Sequence, residues 1–135
     1  MEFSKSLAAS TSGLKAQSGR MRIIAENIAN ADSAPASKGA EPYRRKIPTF
    51  TSHLDRETGA NVVETGRVRR DSSAFRVKHD PGNPVADAKG DVSMPNVNPL
   101  IENMDMREAQ RSYEANLNMV TTTRKMIAQT LAILK

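Results

Sequence analysis

The sequence predicts a mainly α-helical chain with a small β insert, in which long N- and C-terminal helices pair as an antiparallel coiled coil, joined by an extended linker and a β-hairpin or small antiparallel sheet. Three observations predict this. Large apolar residues recur every seven positions at both ends of the 135 residues. Gly, Pro, Ser, Thr and Asn crowd the middle third. With two Tyr, three Phe and no Trp, the chain lacks the aromatic area that dominates a large core, so it is expected to be marginal as a free monomer.

Residues 1–32 read as the first helix. Leu7, Leu14, Met21 and Ile28 share one heptad position, with Phe3 and Ile24 on adjoining ones. Residues 100–135 read as the last helix, where Met106, Tyr113, Val120, Ile127 and Leu134 repeat and Leu117 and Leu131 follow four residues after Tyr113 and Ile127. In each helix the stripe runs about four heptads, on the order of 40 Å at 1.5 Å rise per residue. Their other faces are unusual. Ser6–Leu14, Ala115–Thr123 and Met126–Leu134 carry no charge at all, which suits helices surrounded by other helices rather than by water on one side. Gly13 and Gly19 each weaken the first helix by about 1 kcal/mol relative to Ala, a loss expected to be recovered only by close packing in an assembly. Leu7, Leu14, Met21, Ile24, Ile28, Met106, Tyr113, Leu117, Val120, Ile127, Leu131 and Leu134 are therefore the candidate subunit-interface residues.

Between the helices, residues 33–42 hold Ser33, Pro35, Ser37 and Gly39 without periodicity and read as an extended linker. Residues 43–80 form the β insert, with strand candidates at Tyr43–Thr51, Ala60–Arg70 and Ala74–Lys78 separated by Glu57-Thr58-Gly59 and Asp71-Ser72-Ser73. Residues 81–99 read as an extended return. The turn cluster Asp80-Pro81-Gly82-Asn83-Pro84 leads into it, and Met94-Pro95-Asn96-Val97-Asn98-Pro99 feeds the last helix.

The net charge is +5, concentrated in Lys38–Asp80, where ten Lys or Arg face six Asp or Glu. Arg44, Arg45, Arg67, Arg69, Arg70 and Arg76 alternate with uncharged or apolar positions on the proposed strands, so several could share one exposed face and meet an acidic partner. A basic nucleic-acid-binding protein is the alternative from another class. It is disfavoured because only Tyr43, Phe50 and Phe75 lie nearby to stack on bases, and no RNA-binding signature or helix-turn-helix pattern is present.

Catalysis finds no constellation to rest on. Cysteine is absent, so no thiolate metal site or disulfide forms. His53 and His79 lack metal spacing and read as surface histidines, and no Gly-rich phosphate loop or nucleophile elbow occurs. The chain is expected to be no enzyme and to need no cofactor. No apolar run approaches the roughly 20 residues that span a bilayer, and no cleavable signal pattern opens the chain.

Two segments carry a resemblance. Ala25-Glu26-Asn27-Ile28-Ala29-Asn30-Ala31-Asp32-Ser33 resembles the Asn-rich ANxxNxxT-like motif that ends the first helix of the flagellar axial proteins, which build rod and hook. Val97-Asn98-Pro99-Leu100 through Met104, then Glu108-Ala109-Gln110-Arg111-Ser112-Tyr113-Glu114-Ala115-Asn116, is similar to the C-terminal pattern of the rod subunits. The turn at Asp80–Pro84, the run Gly90–Asn98 and the length are most like a proximal-rod member, although Tyr43 follows an insertion, Ala34–Pro42, absent from many relatives. The motif residues are Asn27, Asn30, Asn98, Glu108, Tyr113 and Asn116. The resemblance implies a structural subunit that passes unfolded through the flagellar type III export apparatus with its amino end uncleaved. It implies a periplasmic rod of the basal body, built helically through terminal helices, that transmits torque. Its implied partners are rod subunits of the same and different types, membrane-ring and rod-adaptor proteins, and the export apparatus, with no nucleic acid and no direct membrane span. A helical-bundle effector of some other export system is a third possibility from the same pattern.

Overall fold

A computed structural model describes residues 2–134. In chain order the elements are α1 (Glu2–Ala29), β1 (Lys46–Ile47), β2 (Phe50–Leu54), β3 (Asn61–Thr65), β4 (Arg69–Arg70), β5 (Arg76–His79), β6 (Asp91–Met94) and α2 (Pro99–Ile133). The chain is thus mainly helical, with a long helix at each end and small antiparallel β pairs between them. Its contacts divide it into two units, one of Met1–Met21, Pro48–Arg67 and Arg107–Lys135, the other of Arg22–Ile47 and Val68–Met106.

In the first unit the two helices meet through small and polar residues. The Ser6 and Thr123 hydroxyls lie 3.3 Å apart, Asn116 packs over Gly13, and Arg20 pairs with Glu108 at 3.3 Å. The partners ascend α1 as they descend α2, so the helices run antiparallel here. Ser10, Ala16, Ala109 and Thr123 are buried in this unit, whereas Met106, Tyr113, Val120 and Ile127 along α2 are only half-buried. The unit's hairpin pairs β2 with β3 in the register Phe50↔Thr65, Ser52↔Val63 and Leu54↔Asn61. Its turn is built by Asp55, whose carboxylate accepts the Glu57 N–H at 3.1 Å and the Thr58 hydroxyl at 2.7 Å, and by Gly59 at φ +65°. The hairpin is fastened to α1 at two points. The Ser12 hydroxyl accepts the Val63 N–H at 3.1 Å, and the Thr65 methyl fills the place over Gly19.

Those contacts correct the expectation about the helix glycines. A Cβ at Gly13 would stand 2.7 Å from Asn116 Oδ1, and one at Gly19 would stand 2.6 Å from Thr65 Cγ2. The close approach that offsets each glycine's weakness is made within the chain itself, not only in an assembly.

In the second unit α2 starts with Asn98 as N-cap, its Oδ1 accepting the Leu100 N–H at 3.1 Å, and Pro99 in the first helical position, where its missing N–H is no loss. The expected strand runs are broken. Pro48 and Thr49 separate β1 from β2, because proline has no N–H to give a ladder. β1 pairs with β4 over two residues, and β5 pairs with β6, a strand inside the segment read as an extended return. The β5–β6 connection closes with Asp80 N–H on the Gly90 carbonyl at 2.8 Å, and Gly90 sits at φ +81°, where a Cβ would strike Pro81 and His79. Ala86, Val92 and Met94 form a small apolar cluster beneath it, with Val85 at its margin. Residues 33–42 contain no helix or strand; Ser37–Ala40 close a turn with Gly39 at φ +79°.

Candidate functional site

In the second unit Asn27, fully buried near the end of α1, makes four side-chain hydrogen bonds. Its Nδ2 donates to the Lys46 carbonyl at 2.8 Å and to Glu102 Oε2 at 3.2 Å, while its Oδ1 accepts the Lys46 N–H at 2.9 Å and the Tyr43 hydroxyl at 2.8 Å. A carboxamide has a donor and an acceptor side by side, as a peptide group does. Asn27 therefore pairs with both backbone groups of Lys46 as a neighbouring strand would, and seals the side of β1 that β4 leaves open. Asp would lack the donor.

Around Asn27 lies a network of charge. Glu102, on the first turns of α2 and only 1% exposed, accepts from Asn27 and from the Arg45 guanidinium. Arg45 also lies 3.6 Å from each of the Asp71 and Asp105 carboxylates. Burial works against its charge, but the Glu102 bond and the surrounding carboxylates outweigh that and hold its pKa above the ordinary value. Its backbone N–H donates to Asn96 Oδ1 at 2.8 Å, and Asn96 Nδ2 reaches the carbonyls of Asp71 and Ser73 at 3.1 Å. The Asp71 carboxylate is held below the usual range, chiefly because it accepts the Ser73 backbone and side-chain donors. Lys46 pairs with Glu26. Burial, then the charges of Glu26 and Glu102, push the Tyr43 phenol up to about 12. This junction joins the end of α1, the start of α2, the residues after the linker and the approach to β5, and it can do so only when all four are in place.

The structure distributes the sequence-derived residues unevenly. Among the motif positions, Asn27 is the hub of the junction, Asn98 caps α2, and Asn30 bonds the Glu26 carbonyl at 2.8 Å as α1 ends. Glu108 and Asn116 line the contact with α1, and Tyr113 is half-buried. Of the apolar stripe, Ile24 is buried, Leu7, Leu14, Met21, Ile28, Met106, Val120 and Ile127 are half-buried, and Leu117, Leu131 and Leu134 are exposed. Of the six arginines, Arg44, Arg45 and Arg76 turn onto partners in the chain. Arg44 pairs with Glu41 at 2.7 Å, donates to the Asp71 carbonyl at 2.8 Å and covers the Phe75 ring. Arg76 donates to the Pro95 carbonyl at 3.0 Å and the Ala31 carbonyl at 2.6 Å. Arg67, Arg69 and Arg70 remain exposed, without an ion-pair partner among the described residues.

Sequence reasoning did not single out Glu102, Ala109 and Thr123, the fully buried residues of α2. A signal existed. Glu102 is the lone charge in Val92–Met104, and it, Ala109, Asn116 and Thr123 are spaced by seven. That small and polar heptad lies on the inner face. Among the described residues, no three His, Cys, Asp or Glu are grouped to hold a metal ion, and no helix is long and apolar enough to cross a membrane.

The family described as flagella basal body rod protein matches residues 7–35, and that described as flagellar basal body rod FlgEFG protein C-terminal matches residues 88–133. These two segments carry Asn27, Asn98 and Glu102. The chain is similar to the flagellar basal-body rod protein FlgC of Agrobacterium fabrum, 52% identical over 92% of this chain and 89% of that one. It is also similar to those of Bacillus subtilis, 37% identical over 95% of each, and Aquifex aeolicus, 36% identical over 96% of each.

Proposed function

The chain belongs to the flagellar basal-body rod protein family and is a structural subunit of the rod, and from that premise we propose that it assembles helically through its terminal helices to build the proximal rod. The observation that carries this reading is the large apolar side chains that α2 leaves exposed on either flank of its buried heptad. Small and polar residues take the inner positions, while Leu117, Met119, Met126, Leu131, Ile133 and Leu134 are exposed. Together they make an apolar strip along each flank of the inner heptad, which needs other helices to cover it. Burying one such side chain stabilises by about 1.5–3 kcal/mol, so the strip supplies the distributed contacts that torque transmission requires.

In this reading α1 and α2 extend their antiparallel contact into a coiled coil once neighbouring subunits surround them. The subunit leaves the cytoplasm unfolded through the flagellar export apparatus, without a cleaved signal, and takes its place in the periplasm between ring, adaptor and distal rod. Small polar seams and helix glycines keep the isolated helices weak, which suits export. Arg67, Arg69 and Arg70 are the remaining candidates to meet an acidic neighbour.

Leu131→Asp tests the assembly face better than a change at half-buried Val120. Leu131 is 58% exposed in the subunit, so the free chain should keep its stability within about 0.5 kcal/mol. The variant should be exported yet absent from purified basal bodies, because a charge buried in the wall costs several kcal/mol. Motile cells with intact rods containing the variant would refute the assignment.

A further inference from the structure

The hairpin of the first unit has one edge satisfied and one open. The bonds from Gly66 N–H to the Thr49 carbonyl (2.7 Å) and from Asp55 N–H to the Ala60 carbonyl (2.8 Å) flank the ladder. In an antiparallel pair the bonded positions alternate, so residues 49, 51, 53 and 55 face β3, and Phe50, Ser52 and Leu54 turn their N–H and C=O groups away from it. The opposite edge agrees: Val63, the partner of Ser52, turns its N–H outward, and Ser12 of α1 takes it at 3.1 Å. On β2 nothing takes those groups among the described residues.

Edge strands in soluble proteins are normally guarded by charge, proline, shortness or a cover. β4 is two arginines, β1 is sealed by Asn27, and β5 carries Arg76 and Lys78. β2 has none of these. All five residues are exposed, the strand holds no Asp, Glu, Lys or Arg, and its outward positions place Phe50 (41% exposed) and Leu54 (59% exposed) on either side of the small Ser52. Outward groups at every second residue, about 6.8 Å apart, match one kind of occupant, another extended backbone.

We propose that β2 is the docking edge for an extended, charge-free segment of a neighbouring rod subunit, which adds as a third strand. This rests on the rod-subunit reading. β2 pairing with β2 of a second copy would close a two-fold dimer, whereas a growing rod needs a contact between two different surfaces, so the occupant is a different segment from β2 itself. Alternate backbone bonds hold it, and Phe50 and Leu54 select apolar or small residues opposite them.

The chain contains no cysteine and folds its hairpin without the Ser52 N–H, so position 52 can be changed cleanly. In cells whose rods depend on this chain, Ser52→Pro should lower its amount in purified basal bodies by about tenfold or more, while Ser52→Val, which keeps the N–H, stays near wild type. In a separate strain p-benzoylphenylalanine replaces Ser52. Irradiated basal bodies should give a product joining position 52 to a non-helical segment of another subunit, and unassembled chain should give none. Normal incorporation of Ser52→Pro, crosslinks only to helices, a 52-to-52 product, or no product from rods that contain the labelled chain would each overturn the proposal. Absence of the wild-type chain from basal bodies would instead overturn the rod reading beneath it.

Discussion

Replacing Asn27 by Ala removes four hydrogen bonds at once. It leaves the Lys46 N–H and carbonyl, the Tyr43 hydroxyl and one Glu102 oxygen without their partner, in a site that is fully buried at Asn27 and 1% exposed at Glu102. Each neutral bond is worth about 0.5–1.5 kcal/mol net and the one to the carboxylate about 1.5–3 kcal/mol. Simple addition gives roughly 3–7.5 kcal/mol, and because the four share one side chain the lower end is expected. Against a total stability of about 5–15 kcal/mol, that loss is a large fraction and should lower the urea midpoint markedly. Urea unfolding of the full chain, followed by far-UV circular dichroism, measures it. Asn30→Ala is the internal control, since Asn30 makes a single bond to the Glu26 carbonyl and should lose about 1 kcal/mol. Asn27→Asp keeps the shape but forfeits both donated bonds and sets a second carboxylate against Glu102. It should be at least as damaging at neutral pH and recover partly near pH 4, as the new carboxyl takes up a proton. An Asn27→Ala variant as stable as Asn30→Ala would refute the account of Asn27 as the hub.

The Arg45–Glu102 pair should respond asymmetrically. Arg45→Ala strands a buried carboxylate and should cost about 3–5 kcal/mol, whereas Glu102→Ala leaves Arg45 beside Asp71 and Asp105 and should cost about 1–3 kcal/mol; the reverse order of urea midpoints would sink this reading. Tyr43, raised to about 12, contributes stability that is fully present below the unfolded tyrosine value of about 10 and is lost as pH rises through 12. The difference in tyrosinate absorbance between wild type and Tyr43→Phe should rise near pH 12 in the native chain and near 10 in urea; coincident steps would contradict it. Arg67, Arg69 and Arg70 changed together to Glu should leave the free chain's stability within about 0.5 kcal/mol while slowing rod completion, scored by motility and basal-body yield. Normal rods would return these residues to a plain solvated surface.

Much of the fold was legible because it is written in local patterns. Heptad recurrence from Leu7 to Ile28 and from Met106 to Leu134 announces two helices wherever they end up, and Asn98-Pro99 announces where the second starts. The turn residues at Asp55–Gly59 and Asp80–Gly90 close the hairpins that their composition implies. Strand partners were not legible. Val92 and Met94 lie in a run with proline beyond it, and only the pairing of Arg76 with Met94 and His79 with Asp91 makes that run β6.

The sequence by itself determined two terminal helices, a β-rich middle, the rod family and the absence of charge from long helical faces, because period, turn chemistry and motif spacing are properties of neighbours along the chain. The tertiary structure decided which helix face turns inward, and it chose Ala109, Asn116 and Thr123 over the large apolar stripe, since short side chains let Ser6 and Gly13 approach. It also decided which charges are spent at home. Arg45 and Arg67 are the same residue type in the same basic stretch, yet Glu102, 57 residues from Arg45, draws one into the junction and leaves the other in water. Burial of a charge is fixed by what stands opposite it in space, and that partner is not encoded at any fixed distance along the chain.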